Sequence, residues 1–254
     1  MKYLGVVAAL AVALASRAEG GEIRIISTGG ARAVMTALVP EFERQSGNKV
    51  QIDFGTPGNM RDRLVQGEAA DAAVAIAAVL PDLEKAGKIA AGTRVQFAAS
   101  YVGVVVRAGT PKPDVSSAEG VKQAVLAAKT IALSDPKAGT QLGATFLGAA
   151  DRLGFGTEAR SRTKLILGPG SDVAEAVAKG EADLGVTLIS EILPVPGVAL
   201  AGELPSTIMP PTVMHAFAVS GAKDPETAKA FLDFLRSPEA RRTIEAKGMK
   251  PGTQ

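Results

Sequence analysis

The sequence predicts an α/β protein of two lobes, each with a mostly parallel sheet flanked by helices. Three observations lead to this prediction. Short apolar strands alternate with helical patterns along most of the chain, as in βαβ units. A Gly-Glu turn followed by an aspartate and a buried strand occurs twice, at 67–71 and 180–183. Two long apolar runs, 95–106 and 213–219, are suited to carry the chain from one lobe to the other.

The first 18 residues have the pattern of a signal peptide. Lys2 gives a positive start, an apolar run extends from Leu4 to Ala15, and Ser16-Arg17-Ala18 has the small-x-small form of a cleavage site. We expect cleavage near Ala18, with Ala15 as the alternative. The run is shorter than the ~20 apolar residues of a membrane span. We therefore expect an exported, soluble mature protein.

Composition excludes several classes of function. Without Lys2 and Arg17 the chain has 26 basic and 26 acidic residues, and no basic run is interleaved with aromatic residues. Nucleic acid is therefore not an expected partner. The chain has no cysteine and one histidine, which argues against a disulfide framework, a thiolate nucleophile and a Cys- or His-rich metal site. We expect no metal and no cofactor.

The chain is organised around the stretch from Glu22 to Arg32. An apolar strand leads into Ser27-Thr28-Gly29-Gly30, and a helix follows at once. Hydroxyls and unpaired N–H groups at a helix start can bind an anion, so we expect one wall of a ligand cleft here. The alternative is an ordinary βα turn. The rest of this lobe is predicted as a strand over 49–54, a loop over 55–58, a helix ending near 67, a strand over 72–76 and a helix over 80–86.

The second lobe repeats this arrangement. The apolar run 95–106 is broken at Ser100-Tyr101, and Ser134 to Gln141 is a second strand-to-helix turn. We predict strands over 130–133, 164–167 and 183–186, and helices over 121–128, 141–153 and 173–178, the last capped by Ser171-Asp172. Two amphipathic helices near 228–235 and 240–246 end the chain. The expected boundaries are 19–100 and 215–254 for lobe 1 and 101–214 for lobe 2.

Seven segments together resemble a known family. They are Ile23–Gly30, Asp53–Met60, Gly67–Asp71, Ser134–Gly139, Glu181–Val186, Ala230–Ala240 and Gly248–Met249. Their order and spacing resemble the periplasmic molybdate-binding protein family and its solute-binding relatives. The resemblance implies a two-lobed periplasmic-binding-protein-like fold with two crossovers, a small anion held in the interlobe cleft, and a monomer in the periplasm. It also implies capture of that anion for an ABC importer in the inner membrane.

The expected ligand-binding groups lie on the loops that follow the strands, where open α/β sheets bind their ligands. These candidates are Ser27, Thr28, Gly29, Gly30, Arg32, Thr56, Gly58, Asn59, Arg61, Tyr101, Ser134, Gly139, Thr140 and Thr187.

The chain also departs from the family pattern. Gly29-Gly30 followed by Arg32 stands where the family has a serine, Pro57-Gly58-Asn59 replaces a serine run, and the family's tyrosine falls near Leu188. Arg32, Arg61 and Arg63 could bind carboxylates in a bidentate manner, although each could also lie on a solvated helix face. We therefore expect an organic di- or tricarboxylate rather than molybdate.

An enzymatic alternative comes from the same resemblance, because some relatives are similar to aconitate isomerase. Such an isomerase moves a proton along an allylic system and needs a base within hydrogen-bond reach of the substrate. His215, Asp135 and Asp53 are the candidates. A single histidine on an apolar strand is also typical of a structural core residue. Binding protein and isomerase both remain open at this point.

Overall fold

The computed structural model describes residues 20–252. The expected signal peptide and both expected cleavage points lie outside this range. Within the described residues, no helix combines the length and the apolar character needed to cross a membrane.

Residues 20–252 contain eleven strands and ten α-helices. The strands are β1 (Glu22–Thr28), β2 (Lys49–Gly55), β3 (Ala72–Ile76), β4 (Val95–Ser100), β5 (Val102–Arg107), β6 (Ile131–Ser134), β7 (Thr163–Ile166), β8 (Leu184–Leu188), β9 (Val198–Glu203), β10 (Thr212–Ala218) and β11 (Met249–Pro251). The helices are α1 (Arg32–Ser46), α2 (Pro57–Val65), α3 (Leu80–Lys85), α4 (Ala118–Ala127), α5 (Leu142–Arg152), α6 (Gly156–Arg162), α7 (Gly170–Ala178), α8 (Ile189–Ile192), α9 (Pro225–Phe234) and α10 (Pro238–Ala246).

The strands form two sheets, one in each lobe, as the sequence predicts. The lobe 1 sheet has the order β11-β4-β10-β3-β1-β2, and the lobe 2 sheet has the order β7-β6-β8-β5-β9. Strands β1 to β3 pair in parallel, and so do β6 to β8. The strands next to the crossovers pair antiparallel with their neighbours. Strands β5 and β10 enter their sheets from the other lobe, so no βαβ crossover within one sheet fixes their direction.

The first passage between the sheets lies within the apolar run 95–106. The apolar run 95–106 divides into β4 in the lobe 1 sheet and β5 in the lobe 2 sheet, with Tyr101 between them. The return to lobe 1 differs from the expected boundary. All of β10 belongs to the lobe 1 sheet, with Thr212 opposite Ser100. The chain therefore crosses back between β9 and β10, through the segment 204–211, because strand pairing already holds residues 212–214 in lobe 1.

The C-terminal helices complete the core of lobe 1. Phe42 of α1 meets Phe231 of α9 edge-on, with ring centroids 5.2 Å apart, and Phe234 lies 5.6 Å away. Edge-to-face aromatic pairs of this kind add about 0.5–1.5 kcal/mol beyond the area they bury. The prediction that residues after 215 return to lobe 1 agrees with this packing.

The repeated Gly-Glu turn has the same structural role in both lobes. Asp71 accepts hydrogen bonds from the backbone N–H groups of Arg24 (2.9 Å), Lys223 (2.7 Å) and Asp224 (3.1 Å). Asp183 accepts from the N–H groups of Lys129 (2.7 Å) and Thr130 (3.1 Å), just before β6. In each lobe, an aspartate just before a central strand therefore accepts hydrogen bonds from backbone N–H groups in, or just before, the neighbouring parallel strand.

Five local features differ from the prediction. Helices α6 and α8 and strands β9 and β11 were not predicted. Helix α7 begins at Gly170 with Pro169 as its N-cap, so Ser171 and Asp172 lie in its first turn rather than at its cap. The reason is that Pro169 has extended backbone angles and fixes the helix start directly after it.

Candidate ligand-binding site

A cavity of about 550 Å³ lies between the lobes, at the carboxyl ends of the parallel strands. This is the position at which open α/β sheets bind ligands. Its volume falls in the range of about 300–1,000 Å³ that is typical of small-molecule sites. Lobe 1 contributes residues that follow β1, β2 and β3, and lobe 2 contributes residues that follow β6, β7 and β8.

The lobe 1 wall begins where β1 ends. Thr28 is almost fully buried and is followed by a 3₁₀ turn over Gly29–Ala31, which leads directly into α1. Gly30 packs closely against lobe 2, since a Cβ atom there would lie 2.9 Å from Leu188 Cδ1. Thr56, the N-cap of α2, adds a second hydroxyl to this wall.

Arg32 supplies the positive charge of the lobe 1 wall. Its guanidinium carbon lies 4.2 Å from the centre of the Phe54 ring, and both side chains line the cavity. Among the residues that the structure describes, no acidic side chain pairs with Arg32. The neighbouring Arg24 and Arg63, by contrast, share Asp53 and Glu68 at distances of 2.6–3.3 Å. Arg32 is therefore the guanidinium that is available to a ligand.

The lobe 2 wall carries hydroxyls and the start of a helix. Buried Ser134 ends β6, and Thr140 lies in the turn before α5. The loop 168–170 brings the first residue of α7 to the cavity. Thr187 is the penultimate residue of β8 and is fully buried.

Glu191 places a carboxyl group on this same wall. Its Oε2 accepts a hydrogen bond of 2.8 Å from the Thr187 hydroxyl, and the side chain lines the cavity. The pKa of Glu191 is raised, because burial disfavours the charged carboxylate. This effect outweighs the hydrogen bonds from the Thr187 hydroxyl and from the N–H groups of Leu188 and Gly170, which favour the charged form. The negative charge of Asp172 raises the pKa further. A carboxyl with a raised pKa in a cavity can hold and transfer a proton.

The two lobes touch on both sides of the cavity. The Gly58 N–H donates to the Gly139 carbonyl at 3.3 Å. On the other side, the Ser190 hydroxyl donates to the Gly30 carbonyl at 3.1 Å and lies 2.9 Å from the Ser100 hydroxyl. The lobes are therefore in contact around the cavity.

Eight of the predicted ligand-binding residues line the cavity. They are Thr28, Gly29, Gly30, Arg32, Thr56, Ser134, Thr140 and Thr187. Gly58 and Gly139 lie at its rim, where they join the lobes. Both strand-to-helix turns singled out in the sequence thus contribute residues to the cavity.

The structure places the other four predicted residues away from the cavity. Ser27 is fully buried and donates to the Thr28 carbonyl at 3.2 Å. Asn59 serves the start of α2 through its N–H bond to Thr56 Oγ1 at 3.3 Å. Arg61 pairs with Asp62 and Asp82 at 2.8 and 3.2 Å. Tyr101 lies at the crossover, with Lys250 Nζ 3.8 Å from its ring centre.

The candidate bases named from the sequence also lie elsewhere. His215 is in the middle of the lobe 1 sheet, paired with Ala75 and Gln96, and its buried Nδ1 has no hydrogen-bond partner among the described residues. Burial, with a smaller contribution from Arg94, lowers its pKa. Asp135 accepts from the Lys137 N–H at 2.9 Å and caps a turn. Asp53 belongs to the ion pairs with Arg24 and Arg63. Strand direction and local pairing thus keep all three from the cavity.

The model of the family described as bacterial extracellular solute-binding protein matches residues 23–250. The chain belongs to this family.

By name, the similar proteins include both an enzyme and binding proteins. An aconitate isomerase from a Pseudomonas species is 31% identical over 234 residues, which cover 90% of this chain and 87% of the isomerase. The molybdate-binding protein ModA of Azotobacter vinelandii is 30% identical over 250 residues, 96% of this chain and 95% of ModA. The solved periplasmic molybdate-binding protein of the same organism has a TM-score of 0.74 at 21% identity, covering 91% of this chain and all of that chain. The resemblance to a two-lobed binding protein is confirmed.

Sequence reasoning missed Glu191, although it identified Thr187 four residues earlier. The signal was weak, because Glu191 lies in α8, a single helical turn with no apolar periodicity of its own. Phe54, which contacts the Arg32 guanidinium, was likewise read only as the end of a strand.

Proposed function

We propose that this protein is the periplasmic solute-binding component of an ABC importer and that it captures a small organic acid with two or more carboxylates. The observation that carries the proposal is the Arg32 guanidinium in the interlobe cavity, which no described acidic side chain neutralises. A guanidinium binds a carboxylate through two parallel hydrogen bonds. Thr28, Thr56, Ser134 and Thr140 offer hydroxyl donors to the remaining oxygens.

The size of the cavity favours an organic ligand over a tetrahedral oxyanion. Four oxygen atoms, each given the roughly 30 Å³ of a water molecule, fill about 120 Å³. That leaves most of a 550 Å³ cavity empty. The walls also include Phe54, Val102, Leu142 and Met209, which suit the carbon skeleton of an organic acid.

The partners follow from the family. A solute-binding protein hands its ligand to a membrane permease, and membership of an extracellular family supports export by the predicted signal peptide. We expect the protein to act as a monomer, since the cavity is built from the two lobes of one chain.

A thermal-shift panel tests this function. The mature protein is heated with molybdate, tungstate, sulfate, phosphate and a set of di- and tricarboxylates. A ligand at ~100 times its dissociation constant adds about 2.7 kcal/mol of stability, so binding gives a clear rise in Tm. We expect carboxylates alone to raise the Tm. A rise with molybdate and tungstate only would refute the proposal.

A second candidate function is isomerisation of an unsaturated tricarboxylate. It is favoured by the carboxyl of Glu191 in the cavity and by the 31% identity to an aconitate isomerase. In such a reaction the Glu191 carboxylate would take a proton from the methylene carbon, the double bond would shift, and the carboxyl would return the proton at the other end of the allylic system. No oxidant or second substrate is needed, since one proton leaves and one returns.

Proton NMR of cis- and trans-aconitate with the purified protein separates the two candidates. Isomerisation predicts interconversion by the wild type and none by Glu191→Gln, with Glu175→Gln as an active control, because Glu175 is exposed on α7 and pairs with Lys179. If the protein binds aconitate without interconverting its isomers, the isomerase function is rejected and the binding function stands.

A further inference from the structure

The start of α7 has the features of an anion-binding position. The helix has nine residues, begins at Gly170, and its first N–H groups have no partners within the helix. The positive end of the helix dipole points the same way. The Thr187 hydroxyl lies beside this start, since a Cβ atom on Gly170 would overlap Thr187 Oγ1. We call Gly170 N–H and Thr187 Oγ1–H together the lobe 2 anion position.

Glu191 already occupies this position. The Thr187 hydroxyl donates to Glu191 Oε2 at 2.8 Å. A Cβ atom on Gly170 would also overlap the same oxygen, so the carboxyl lies directly against the helix start. The protein's own carboxyl therefore takes the donors that an anionic ligand would use.

The neighbouring contacts hold Glu191 in this orientation. It is four residues from Thr187, one helical turn along the chain from β8 into α8. Ser190, the residue before it, is buried and bonded to the Gly30 carbonyl and the Ser100 hydroxyl of lobe 1. Because α8 is fixed by lobe 1 on one side, Glu191 is directed towards α7 on the other.

We propose that Glu191 is a specificity-determining residue, which fills the lobe 2 anion position and thereby excludes tetrahedral oxyanions from the cavity. The carboxylates of the ligand then bind on the Arg32 side. The part of the ligand that faces Glu191 is an uncharged one, such as a hydroxyl or a methylene group. This last step rests on the proposed function, whereas the exclusion of oxyanions does not.

The exclusion has two physical causes. A tetrahedral dianion would have to displace Glu191 from its donors and leave a carboxyl buried without partners, which costs free energy. A dianion beside an ionised Glu191 would also meet repulsion between like charges at short range. Removing the side chain removes both costs and exposes the Gly170 N–H and the Thr187 hydroxyl.

The test compares Glu191→Ala and Glu191→Ser with the wild type and with Glu175→Ala, which removes an exposed carboxylate of α7. Each protein is titrated with molybdate and with sulfate, and its Tm is recorded. Glu191→Gln is added because its amide still fills the position. We expect an upward Tm shift with oxyanions for the Ala and Ser variants, little shift for Gln, and none for the wild type and Glu175→Ala.

Two results would overturn the inference. One is a wild type that molybdate or sulfate stabilises. The other is an Ala or Ser variant of Glu191 that has a native circular dichroism spectrum and is stabilised by neither oxyanion. The two variants are prepared separately, so that one folded variant is enough for the test. If neither folds, the titrations of the wild type and of Glu191→Gln decide the question through the first result. Tricarboxylate binding by the wild type is measured in parallel. If the wild type binds no tricarboxylate, the proposed function is rejected. The oxyanion titrations still test the role of Glu191 independently.

Discussion

Arg32 and Glu191 give the two walls of the cavity different chemistry. Arg32 lies on Phe54 with its guanidinium available, and Glu191 covers the start of α7. A ligand with carboxylates at one end and an uncharged group at the other matches this arrangement. We therefore expect these two side chains to determine which ligand binds.

Replacing Arg32 should weaken carboxylate binding. Hydrogen bonds to a charged group contribute about 1.5–3 kcal/mol, so Arg32→Ala should raise the dissociation constant roughly 10- to 150-fold. Arg32→Lys keeps the charge but loses the planar pair of donors, and we expect an intermediate loss. Isothermal titration calorimetry with a tricarboxylate measures both.

The control for this experiment is Arg61→Ala, because Arg61 pairs with Asp62 and Asp82 away from the cavity. Its affinity should equal that of the wild type. Equal affinities for Arg32→Ala and Arg61→Ala would mean that Arg32 does not hold the ligand.

Glu191 should also make stability depend on pH. Its pKa is raised in the folded protein from the ordinary value of 4.5, so the folded state binds the proton more tightly than the unfolded state. Wild-type stability relative to Glu191→Gln is therefore greatest below about pH 4.5 and falls as pH rises through the raised pKa, by at most about 1.4 kcal/mol per pH unit. Urea unfolding of both proteins between pH 4 and 8 checks this. A difference that does not change with pH, or that grows as pH rises, would contradict it.

Only part of this chemistry could be predicted from the sequence. Arg32 follows a strand and two glycines, so its place at a cleft wall follows from local order along the chain. Glu191 reaches the start of α7 only because β8, α8 and lobe 1 contacts fix it there. His215 shows the converse, since β10 contributes Thr212 and Val213 to the cavity, whereas pairing with Ala75 and Gln96 holds His215 further along the lobe 1 sheet.

At the scale of elements, the strongest predictions came from repeated patterns. The two Gly-Glu turns proved to be equivalent, each with an aspartate that tethers a neighbouring strand. Helix α6 was missed because, of its seven residues, only Gly156 and Ala159 are buried, so it has no apolar stripe. Strand β9 was missed because its residues are small or half-buried and no clear alternation marks it.

The two aspartates should differ in their contribution to stability. Asp71 is buried with three backbone donors, so Asp71→Ala should lower the free energy of unfolding by about 2–3 kcal/mol. Asp183 is exposed with two donors, and Asp183→Ala should cost about 1 kcal/mol. Urea midpoints with unchanged slopes measure both losses. A larger loss at Asp183 would show that the two turns do not act as described.

Across the whole molecule, we expect ligand capture to depend on contact between the lobes. Gly139 has a φ of 79°, and a Cβ atom there would lie 2.6 Å from Thr56 Oγ1 of lobe 1. Gly139→Ala should therefore oppose closure and weaken ligand binding, by the about 1–3 kcal/mol typical of overpacking. Gly154→Ala is the matched control, since Gly154 has a φ of 78° and open space around it.

Calorimetry and small-angle X-ray scattering of both glycine variants distinguish closure from general strain. We expect reduced affinity and a larger radius of gyration with ligand for Gly139→Ala only. If both variants lose affinity equally, backbone strain rather than lobe contact is the cause.

We propose that a carboxylate ligand binds at Arg32 while the Glu191 carboxyl stays against the start of α7. A crystal structure of the mature protein with the tricarboxylate that stabilises it most tests this directly. We predict a ligand carboxylate within hydrogen-bond distance of the Arg32 guanidinium, and Glu191 still bonded to Thr187. A ligand carboxylate on Gly170 and Thr187 with Glu191 displaced, or a ligand that makes no contact with Arg32, would contradict the account.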